Sequence, residues 1–272
     1  MAVAARVPGR RAPLLAVVLV GDDAASLVYV NAKMQACARC GIDSRRIALP
    51  AATDSATLAA TLARLSDDTE VDGILLQLPL PDRLDARAAL AALAPTKDVD
   101  GLHPENAGKL ATDDASGFVP CTPAGVVELL HRSEVPLAGR RVVILGRSVL
   151  VGRPLALLLL RRGVDATVTV AHSHSRDVPA LVAGAEILVA AVGRPRFVQR
   201  AWLRPGSVVV DVGIHREPHP ERREATRLVG DVDGAAEADV AAYTPVPGGV
   251  GPMTVAMLLR NTVLAWHRGG GE

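Results

Sequence analysis

The chain has 272 residues, a formal net charge of +1 and 49% hydrophobic residues, which suit one large or two modest domains with a substantial core. This near-neutral balance provides no overall attraction to nucleic acid or to an anionic membrane surface. Three cysteines are too few in a chain of this length for a disulfide framework, so a reduced, cytoplasmic setting is expected.

Short apolar strands alternate with helices through the first eighty residues. The pattern predicts strands at 15–21, 45–49 and 71–78 and helices at 25–40 and 54–66, with Asp54 as a helix cap and Gly41 as a helix stop. This βαβαβ order predicts a parallel sheet covered by helices.

Two features of this half have competing interpretations. Arg6, Arg10 and Arg11 precede an apolar run, as in a secretory signal peptide. No small-residue cleavage site follows that run, so a buried strand is the better interpretation. Cys37 and Cys40 have CxxC spacing, but a zinc site needs two more ligands, and buried helix packing is therefore favoured over a metal.

The second half resumes the alternation after a break. Residues 95–121 are rich in Pro, Gly, Asp and Asn and predict an irregular, ligand-facing loop, after which Thr122 can cap a helix reaching residue 132. Strands are then predicted near 141–145, 166–171, 186–192, 207–212 and 228–230, and a last helix at 251–267. The charged stretch 215–227 is interpreted as a solvent loop. The fold class is α/β with two lobes, and a cleft between them is the expected active site.

A glycine turn follows the first strand of the second lobe. Gly146 to Gly152 is not a GxGxxG fingerprint, but it lies between an apolar strand and a helix, where a phosphate can bind at the helix N-terminus. The next strand ends in residues 172–176 without an acid for a ribose 2′-hydroxyl, and Arg147 and Arg176 are near. That pattern favours the 2′-phosphate of NADP over NAD. The alternative is that these are ordinary surface-loop residues.

Candidate catalytic side chains lie in the first lobe. Tyr29 and Lys33 are four residues apart and share one helix face, which places an aromatic ring beside an amine. A half-buried ring and a solvated amine would be the ordinary interpretation. Gln77 in an apolar strand argues against it, because a buried amide needs a partner that Lys33 could supply. Asp100 can accept paired hydrogen bonds from a heterocycle.

These segments together resemble one family, the bifunctional methylenetetrahydrofolate dehydrogenase/methenyltetrahydrofolate cyclohydrolases. The likeness covers residues 15–265 and rests on these motifs: Tyr29-x3-Lys33; Val-Asp-Gly-Ile-Leu-Leu-Gln-Leu-Pro-Leu-Pro at 71–81; Lys-Asp-Val-Asp-Gly at 97–101; Pro-Cys-Thr-Pro at 120–123; Gly-Arg-Ser-x-x-Val-Gly-Arg-Pro at 146–154; Asp-Val-Gly-Ile at 211–214; Gly-Asp-Val at 230–232; and Thr-Pro-Val-Pro-Gly-Gly-Val-Gly-Pro-Met-Thr at 244–254.

The resemblance implies a role for each matching side chain of the first lobe. Tyr29 stacks on the folate, Lys33 is the central catalytic residue, and Gln77 hydrogen-bonds to Lys33 and tunes it. Asp100 holds the pterin. The loop that borders the folate consists of Pro247, Gly248 and Gly249.

The resemblance also implies a cofactor, an architecture and an assembly. NADP would contact Gly146, Arg147, Ser148, Ser173 and Ile214. After that serine the family usually has Lys or Arg and then Thr. This chain has His174 and Ser175 there, which weakens the expectation of NADP over NAD. The implied domains are a folate-binding catalytic domain at 1–121, a Rossmann-like NADP-binding domain at 122–245 and a C-terminal helical segment at 246–272 that returns to the first lobe. A homodimer through the nucleotide lobe, acting on one-carbon tetrahydrofolate derivatives without nucleic acid or membrane, is the expected form.

Three alternatives stay open. The chain could be a dehydrogenase without useful cyclohydrolase activity, a two-lobed NADP enzyme of the shikimate-dehydrogenase type, or a non-catalytic protein that binds nucleotide or subunits only. Only about fourteen residues precede the first strand, where the family normally has a helix and more. We expect either an upstream start codon or the loss of that element.

Overall fold

A computed structural model describes residues 9–219, 226–234 and 240–269 of the chain. These residues form two compact units. The first contains the chain up to Cys121 together with the residues from Val255 onward, and the second runs from Thr122 to Thr254. The C-terminal part that joins the first unit therefore begins at Val255, whereas residue 246 was expected.

The first unit is built on a three-stranded parallel sheet of order β2-β1-β3. Its elements are β1 (Leu14–Val20), α1 (Ala24–Arg39), β2 (Asp43–Leu49), α2 (Ser55–Asp67), β3 (Gly73–Leu76), α3 (Ala86–Ala91) and α4 (Pro104–Ala111). Strand β1 lies in the centre and is buried from Leu15 onward, which explains why its sequence is apolar without alternation. The βαβαβ prediction is confirmed, with boundaries shifted by a few residues.

Side-chain caps set the start of the two main helices of this unit. The Asp23 carboxylate accepts a hydrogen bond from the Ser26 backbone N–H at 2.7 Å and opens α1. Asp54 does the same for the Thr57 N–H at 2.7 Å and opens α2, as predicted. Such caps satisfy N–H groups that have no partner within the helix.

The second unit is built on a five-stranded parallel sheet of order β10-β7-β6-β4-β5. Its elements are α5 (Cys121–Arg132), β4 (Arg141–Leu145), α6 (Gly152–Leu160), β5 (Thr167–Ala171), α7 (Val178–Ala183), β6 (Ile187–Ala190), β7 (Val208–Asp211), β8 (His215–Pro218), β9 (Thr226–Val229), β10 (Ala242–Tyr243) and α8 (Val250–Gly269). Helix α8 begins in this unit and continues into the C-terminal part of the first.

Alternate residues of the central strands enter two separate cores. Val143 and Leu145 of β4 pack with side chains that include Val182 and Leu203, whereas Val142 and Ile144 pack with a second cluster that includes Val126, Leu155 and Leu159. A parallel sheet covered on both faces requires this burial of both sides, and Val, Leu and Ala supply it because aromatic residues make up 2% of the chain.

Four predictions about local structure were wrong. The stretch 95–121 contains helix α4, although it was expected to be irregular. Helix α5 begins at Cys121, one residue before the Thr122 expected to cap it. The strand expected at 228–230 is β9, which pairs antiparallel with β8 and lies outside the parallel sheet. The ends of the supposed solvent loop 215–227 are thus a hairpin, and residues 220–225 lie outside the described part.

Two further findings concern membrane spans and metal sites. No helix within the described ranges combines the length and apolar character needed to cross a membrane. No group of three or more His, Cys, Asp or Glu side chains that could hold a metal ion occurs among residues 9–219, 226–234 and 240–269. Cys37 is fully buried, and burial raises the pKa of its thiol to about 11, consistent with the packing interpretation.

Candidate active site

An amine and an amide meet inside the first unit. The Lys33 ammonium group on α1 donates a hydrogen bond from Nζ to Oε1 of Gln77 at 2.9 Å. Gln77 follows β3 and is 8% exposed, and its backbone N–H still bonds to the Val18 carbonyl in the parallel ladder. Its Nε2 donates to the Leu78 carbonyl at 2.6 Å, which fixes the orientation of the amide and turns the oxygen toward Lys33. The predicted Lys33–Gln77 partnership is present.

Burial shifts the protonation equilibrium of Lys33 toward the neutral form. Burial lowers the pKa of Lys33, and the nearby negative charge of Asp100 partly opposes that shift. Burial raises the pKa of Asp100, again with Lys33 opposing. The charge of each group favours the charged form of the other. Desolvation has the larger effect on both pKa values and shifts both groups toward their neutral forms. An amine that loses its proton more readily than an ordinary lysine is suited to proton transfer.

Asp100 is held in place by a densely bonded turn. The buried Asp98 carboxylate accepts hydrogen bonds from the His103 backbone N–H at 2.7 Å and from Asn106 Nδ2 at 2.9 Å. Gly101 has φ +73°, and a Cβ there would stand 2.5 Å from the Val119 carbonyl carbon, so only glycine fits. The backbone that carries Asp100 is therefore fixed on both sides.

Cys121, which follows Pro120, makes buried contacts within the first unit. Cys121 is 1% exposed, and its Sγ donates to the Val99 carbonyl at 3.3 Å. It also interacts with the Asp100 side chain, and burial together with Asp100 raises the pKa of the thiol well above its ordinary value. Asn261 of α8 donates to the same Val99 carbonyl at 2.9 Å. Sequence spacing could not have indicated these contacts, because the residues are far apart along the chain.

Tyr29 lies one helical turn before Lys33 on α1, as predicted. Its side chain is 42% exposed, which leaves ring surface available to a flat ligand. The first unit thus combines an exposed ring, a half-buried amine with an oriented acceptor and a carboxylate. Such a set can hold a planar heterocycle and move a proton beside it.

The glycine turn of the second unit leaves no room for a side chain. Gly146 follows β4 with φ +116°, and a Cβ there would collide with the Ala191 carbonyl oxygen. A Cβ at Gly152 would collide with the carbonyl oxygen of Gly146 itself. Helix α6 begins at Gly152 without a side-chain cap, so its first N–H groups have no capping side chain. This close packing forms a dinucleotide-type turn that leads into a helix N-terminus.

The sheet topology brings the other predicted cofactor residues to one edge. Strand β4 lies between β5 and β6, so the chain reverses its direction of winding there, and ligands bind at the carboxyl ends of such strands. Arg147 and Ser148 follow β4, Ser173 follows β5, and Ile214 follows β7. Arg147 and Ser173 are exposed, and Ile214 is 44% exposed.

The acid nearest the end of β5 is already engaged. Asp177 caps α7, and its Oδ1 accepts a hydrogen bond from the Ala180 backbone N–H at 3.3 Å. The Ser175 hydroxyl accepts from the His172 N–H at 2.9 Å and closes the turn. The turn therefore exposes Ser173, His174 and Arg176 and leaves its nearest carboxylate committed to a helix.

The remaining predicted loop also belongs to the second unit. Pro247 and Gly248 are exposed, and Gly249 donates its N–H to the Pro245 carbonyl at 2.8 Å just before α8 begins. Gly248 has φ +113°, which favours glycine. The structure thus places Tyr29, Lys33, Gln77 and Asp100 in the first unit and every other predicted site residue in the second: Gly146, Arg147, Ser148, Ser173, Ile214, Pro247, Gly248 and Gly249.

Comparison with known proteins supplies independent findings. Residues 2–100 match the family described as tetrahydrofolate dehydrogenase/cyclohydrolase, catalytic domain, and residues 120–269 match its NAD(P)-binding domain. The chain is 55% identical over 261 residues to the bifunctional protein FolD of Treponema pallidum, across 96% of this chain and 82% of that protein.

Two solved structures are similar over nearly the whole chain. The bifunctional enzyme FolD from Campylobacter jejuni has a TM-score of 0.89 and 42% identity, covering 95% of this chain and 89% of that one. The Trypanosoma brucei methylenetetrahydrofolate dehydrogenase-cyclohydrolase, solved with NADP and an inhibitor, has a TM-score of 0.89 and 41% identity, covering 95% and 88%. With both parts of the family matched and relatives this similar, the chain belongs to the tetrahydrofolate dehydrogenase/cyclohydrolase family.

Proposed function

We propose that this protein is a bifunctional one-carbon folate enzyme. It oxidises 5,10-methylenetetrahydrofolate to the 5,10-methenyl form with NADP and hydrolyses that product to 10-formyltetrahydrofolate. The observation that carries the proposal is the half-buried Lys33 amine, hydrogen-bonded at 2.9 Å to an oriented amide and accompanied by Asp100. A dehydrogenase alone needs no such proton-transfer group, so the pair favours both activities over a dehydrogenase that lacks the second.

The residues of the second unit fit NADP. The close packing at Gly146 and Gly152 excludes any side chain and lies at the N-terminus of α6, a position that favours a phosphate. Arg147 and Arg176 are exposed near the end of β5, and the Asp177 carboxylate is used by α7. These features favour a ribose 2′-phosphate over a free 2′-hydroxyl. When bound, NADP supplies the hydride acceptor for the first reaction.

Binding and orientation are the contributions of this chain to the oxidation. The Tyr29 ring provides a flat surface for stacking, and the Asp100 carboxylate accepts hydrogen bonds from the amino group and ring N–H of the pterin. Holding the reacting carbon in place reduces the entropy cost of bringing the reactants together. Such positioning can supply a large part of the rate enhancement.

Hydrolysis of the methenyl group requires three proton movements. Water adds to the positively charged carbon and loses a proton, which leaves a hydroxyl group on that carbon. The bond from the carbon to N5 then breaks as N5 gains a proton and the hydroxyl loses its proton to become the formyl carbonyl. One proton is released overall. Neutral Lys33 is proposed to accept the proton from water and to return it to N5. The substrate cation would lower the pKa of Lys33 further, because like charges disfavour the ammonium form.

Gln77 is proposed to hold the amine while leaving it able to titrate. A neutral amide oxygen accepts one N–H of Lys33 without contributing a full negative charge. A carboxylate at the same place would stabilise the ammonium form and suppress its role as a base. The bond from Gln77 Nε2 to the Leu78 carbonyl keeps the acceptor aimed correctly.

The proposal is tested by Lys33→Met in purified protein, with Lys109→Met as the matched control on the surface helix α4. We expect methenyl hydrolysis to fall by about 10²- to 10⁴-fold, the usual contribution of a positioned acid–base group. The control should keep its activity, because Lys109 pairs with Glu105 outside this cluster. Undiminished hydrolysis in Lys33→Met would refute the assignment, and absence of NADP reduction by the wild-type protein would refute the oxidation.

We further infer that the protein is a cytoplasmic homodimer that assembles through its second unit. The family resemblance supports the homodimer. The three cysteines without a disulfide support the cytoplasmic setting. Light scattering coupled to size-exclusion chromatography tests the assembly. A monomer at the concentration that gives full activity would contradict it.

A further inference from the structure

Two buried carboxylates lie side by side in the second unit, and none of the roles described above uses them. Asp211 ends β7 and is 1% exposed, while Asp231 follows β9 and is 0% exposed. Asp211 Oδ1 accepts a hydrogen bond from the Asp231 backbone N–H at 2.9 Å, so the two are directly linked. Burying two carboxylates this deeply is costly unless donors surround them.

The Asp231 carboxylate binds the backbone of the loop that follows β6. Its Oδ2 accepts hydrogen bonds from the backbone N–H groups of Val192 at 2.6 Å and Gly193 at 3.0 Å, and its Oδ1 accepts from that of Arg194 at 3.0 Å. Its own carbonyl accepts from the Val198 N–H at 2.9 Å. One residue therefore fixes both ends of this loop, and charge strengthens the three side-chain bonds.

The same carboxylate reaches the residues around Ile214. Oδ1 of Asp231 pairs with Nε2 of His215 at 2.7 Å. Asp211 Oδ1 accepts the Gly213 backbone N–H at 2.9 Å. Ile214 is thus held between two residues that are each tied to a buried carboxylate.

Glycines make room for these carboxylates. A Cβ at Gly213 would collide with Asp231 Oδ1, and a Cβ at Gly230 would collide with Asp211 Oδ2. Asp211 also accepts from the Val232 N–H at 2.9 Å and from the Tyr243 hydroxyl at 3.2 Å. Each carboxylate receives three backbone N–H bonds and one side-chain bond, a fully connected network of the kind that specifies one arrangement.

This network lies beside the dinucleotide crevice. The loop after β6 starts at Ala191, whose carbonyl is the group that a Cβ on Gly146 would strike. Strand β6 is the direct neighbour of β4 in the sheet, and the crevice opens at the carboxyl ends of these strands. Displacing the loop after β6 or Ile214 would therefore change the shape of the crevice.

We propose that Asp231 is a positioning residue for the dinucleotide, acting through the Val192–Arg194 loop and through Ile214. It does not touch the cofactor itself. It holds two walls of the crevice in the arrangement that binds NADP. This inference rests on the proposed function, because it concerns affinity for that cofactor.

The test is Asp231→Asn, a change of nearly the same size that places an N–H₂ group against backbone N–H donors. We expect the Kd for NADP, measured by calorimetry, to rise about 10- to 100-fold, the range produced by small displacements in a binding site. Methenyl hydrolysis, assigned to side chains of the first unit, should stay within about twofold when measured well below Tm, and Tm itself should fall because buried backbone N–H groups lose part of their charged acceptor. The matched control is Glu186→Gln, a carboxylate at the amino end of β6 that bonds to Arg140 and Arg141.

An unchanged Kd for NADP in Asp231→Asn would overturn the inference. So would a loss of NADP binding that is matched by an equal loss of methenyl hydrolysis, since a merely structural role predicts that pattern. If Asp231→Asn does not fold, His215→Ala decides, because it removes one partner and leaves three N–H bonds; an unchanged Kd there also refutes the inference. Failure of the wild-type protein to bind NADP would instead refute the proposed function.

Discussion

Asn261 offers a sharp test of how the C-terminal helix supports Asp100. Its Nδ2 donates to the Val99 carbonyl at 2.9 Å and to the Val119 carbonyl at 3.1 Å, and the side chain is 8% exposed. Asn261→Leu keeps a similar volume and removes both donors. The two carbonyls flank the turn that presents Asp100, so the change should affect stability and substrate binding together.

The expected loss in free energy of unfolding depends on which hydrogen-bond partners the two carbonyls keep. The Val99 carbonyl keeps the Cys121 Sγ–H at 3.3 Å, so it is not left without a partner. The Val119 carbonyl loses the Asn261 donor, and an unmet buried acceptor costs about 1–3 kcal/mol. The better burial of leucine returns a fraction of that amount. We therefore expect the free energy of unfolding to fall by about 2 kcal/mol.

The assay uses the two tryptophans, one of which lies in each unit. Trp266 of α8 is 1% exposed, and Trp202 contacts Phe197 in the second unit. In a Trp202→Phe background, urea unfolding followed by tryptophan fluorescence reports the first unit alone. Thr262→Val is the control on the same helix, because its hydroxyl bonds only to the Leu258 carbonyl at 2.8 Å among the contacts described. A fall of less than about 0.5 kcal/mol for Asn261→Leu, or one equal to that of the control, would refute the reasoning.

Two other predictions concern the separate chemistries. Because burial lowers the pKa of Lys33, the neutral amine dominates at lower pH than in free lysine, so methenyl hydrolysis should rise with pH and level off below the range where free lysine titrates. Gln77→Glu adds a negative charge beside the ammonium and should move that profile to higher pH; an unmoved pH–rate profile would contradict the role of Lys33. Gly146→Ala should abolish NADP binding in calorimetry because of the Ala191 carbonyl while methenyl hydrolysis persists, and tight NADP binding by that variant would contradict the crevice assignment.

The strands and main helices were predictable because their signals are local. Strand β1 is a continuous apolar run, and Asp54 stands where a cap should. Helix α4 was missed because it is short and polar, and its Asn106 is held by contacts with Asp98 and the Pro95 carbonyl. Strand β10 has two residues and forms only by pairing with β7, so no periodicity could reveal it.

The site was predictable to a similar extent. A glutamine in an apolar strand signals a buried partner, and Lys33 is that partner in the structure. The contacts of Cys121 with Val99 and Asp100, and of Asp231 with the loop after β6, join residues more than twenty positions apart. Such pairings depend on tertiary packing, so a motif shows that these residues are present without showing which atoms they hold.

The first unit is discontinuous along the chain, and this affects the order of events during synthesis. Residues from Val255 onward supply Leu258, Leu259 and Trp266 to its buried interior, and Arg10 bonds to the Trp266 carbonyl at 2.6 Å. On the ribosome, the second unit is complete when Thr254 has emerged, whereas the first still lacks its closing helix. The half that begins synthesis is thus the last to be complete, and a nascent chain arrested before Val255 would carry Lys33 on an unfinished core.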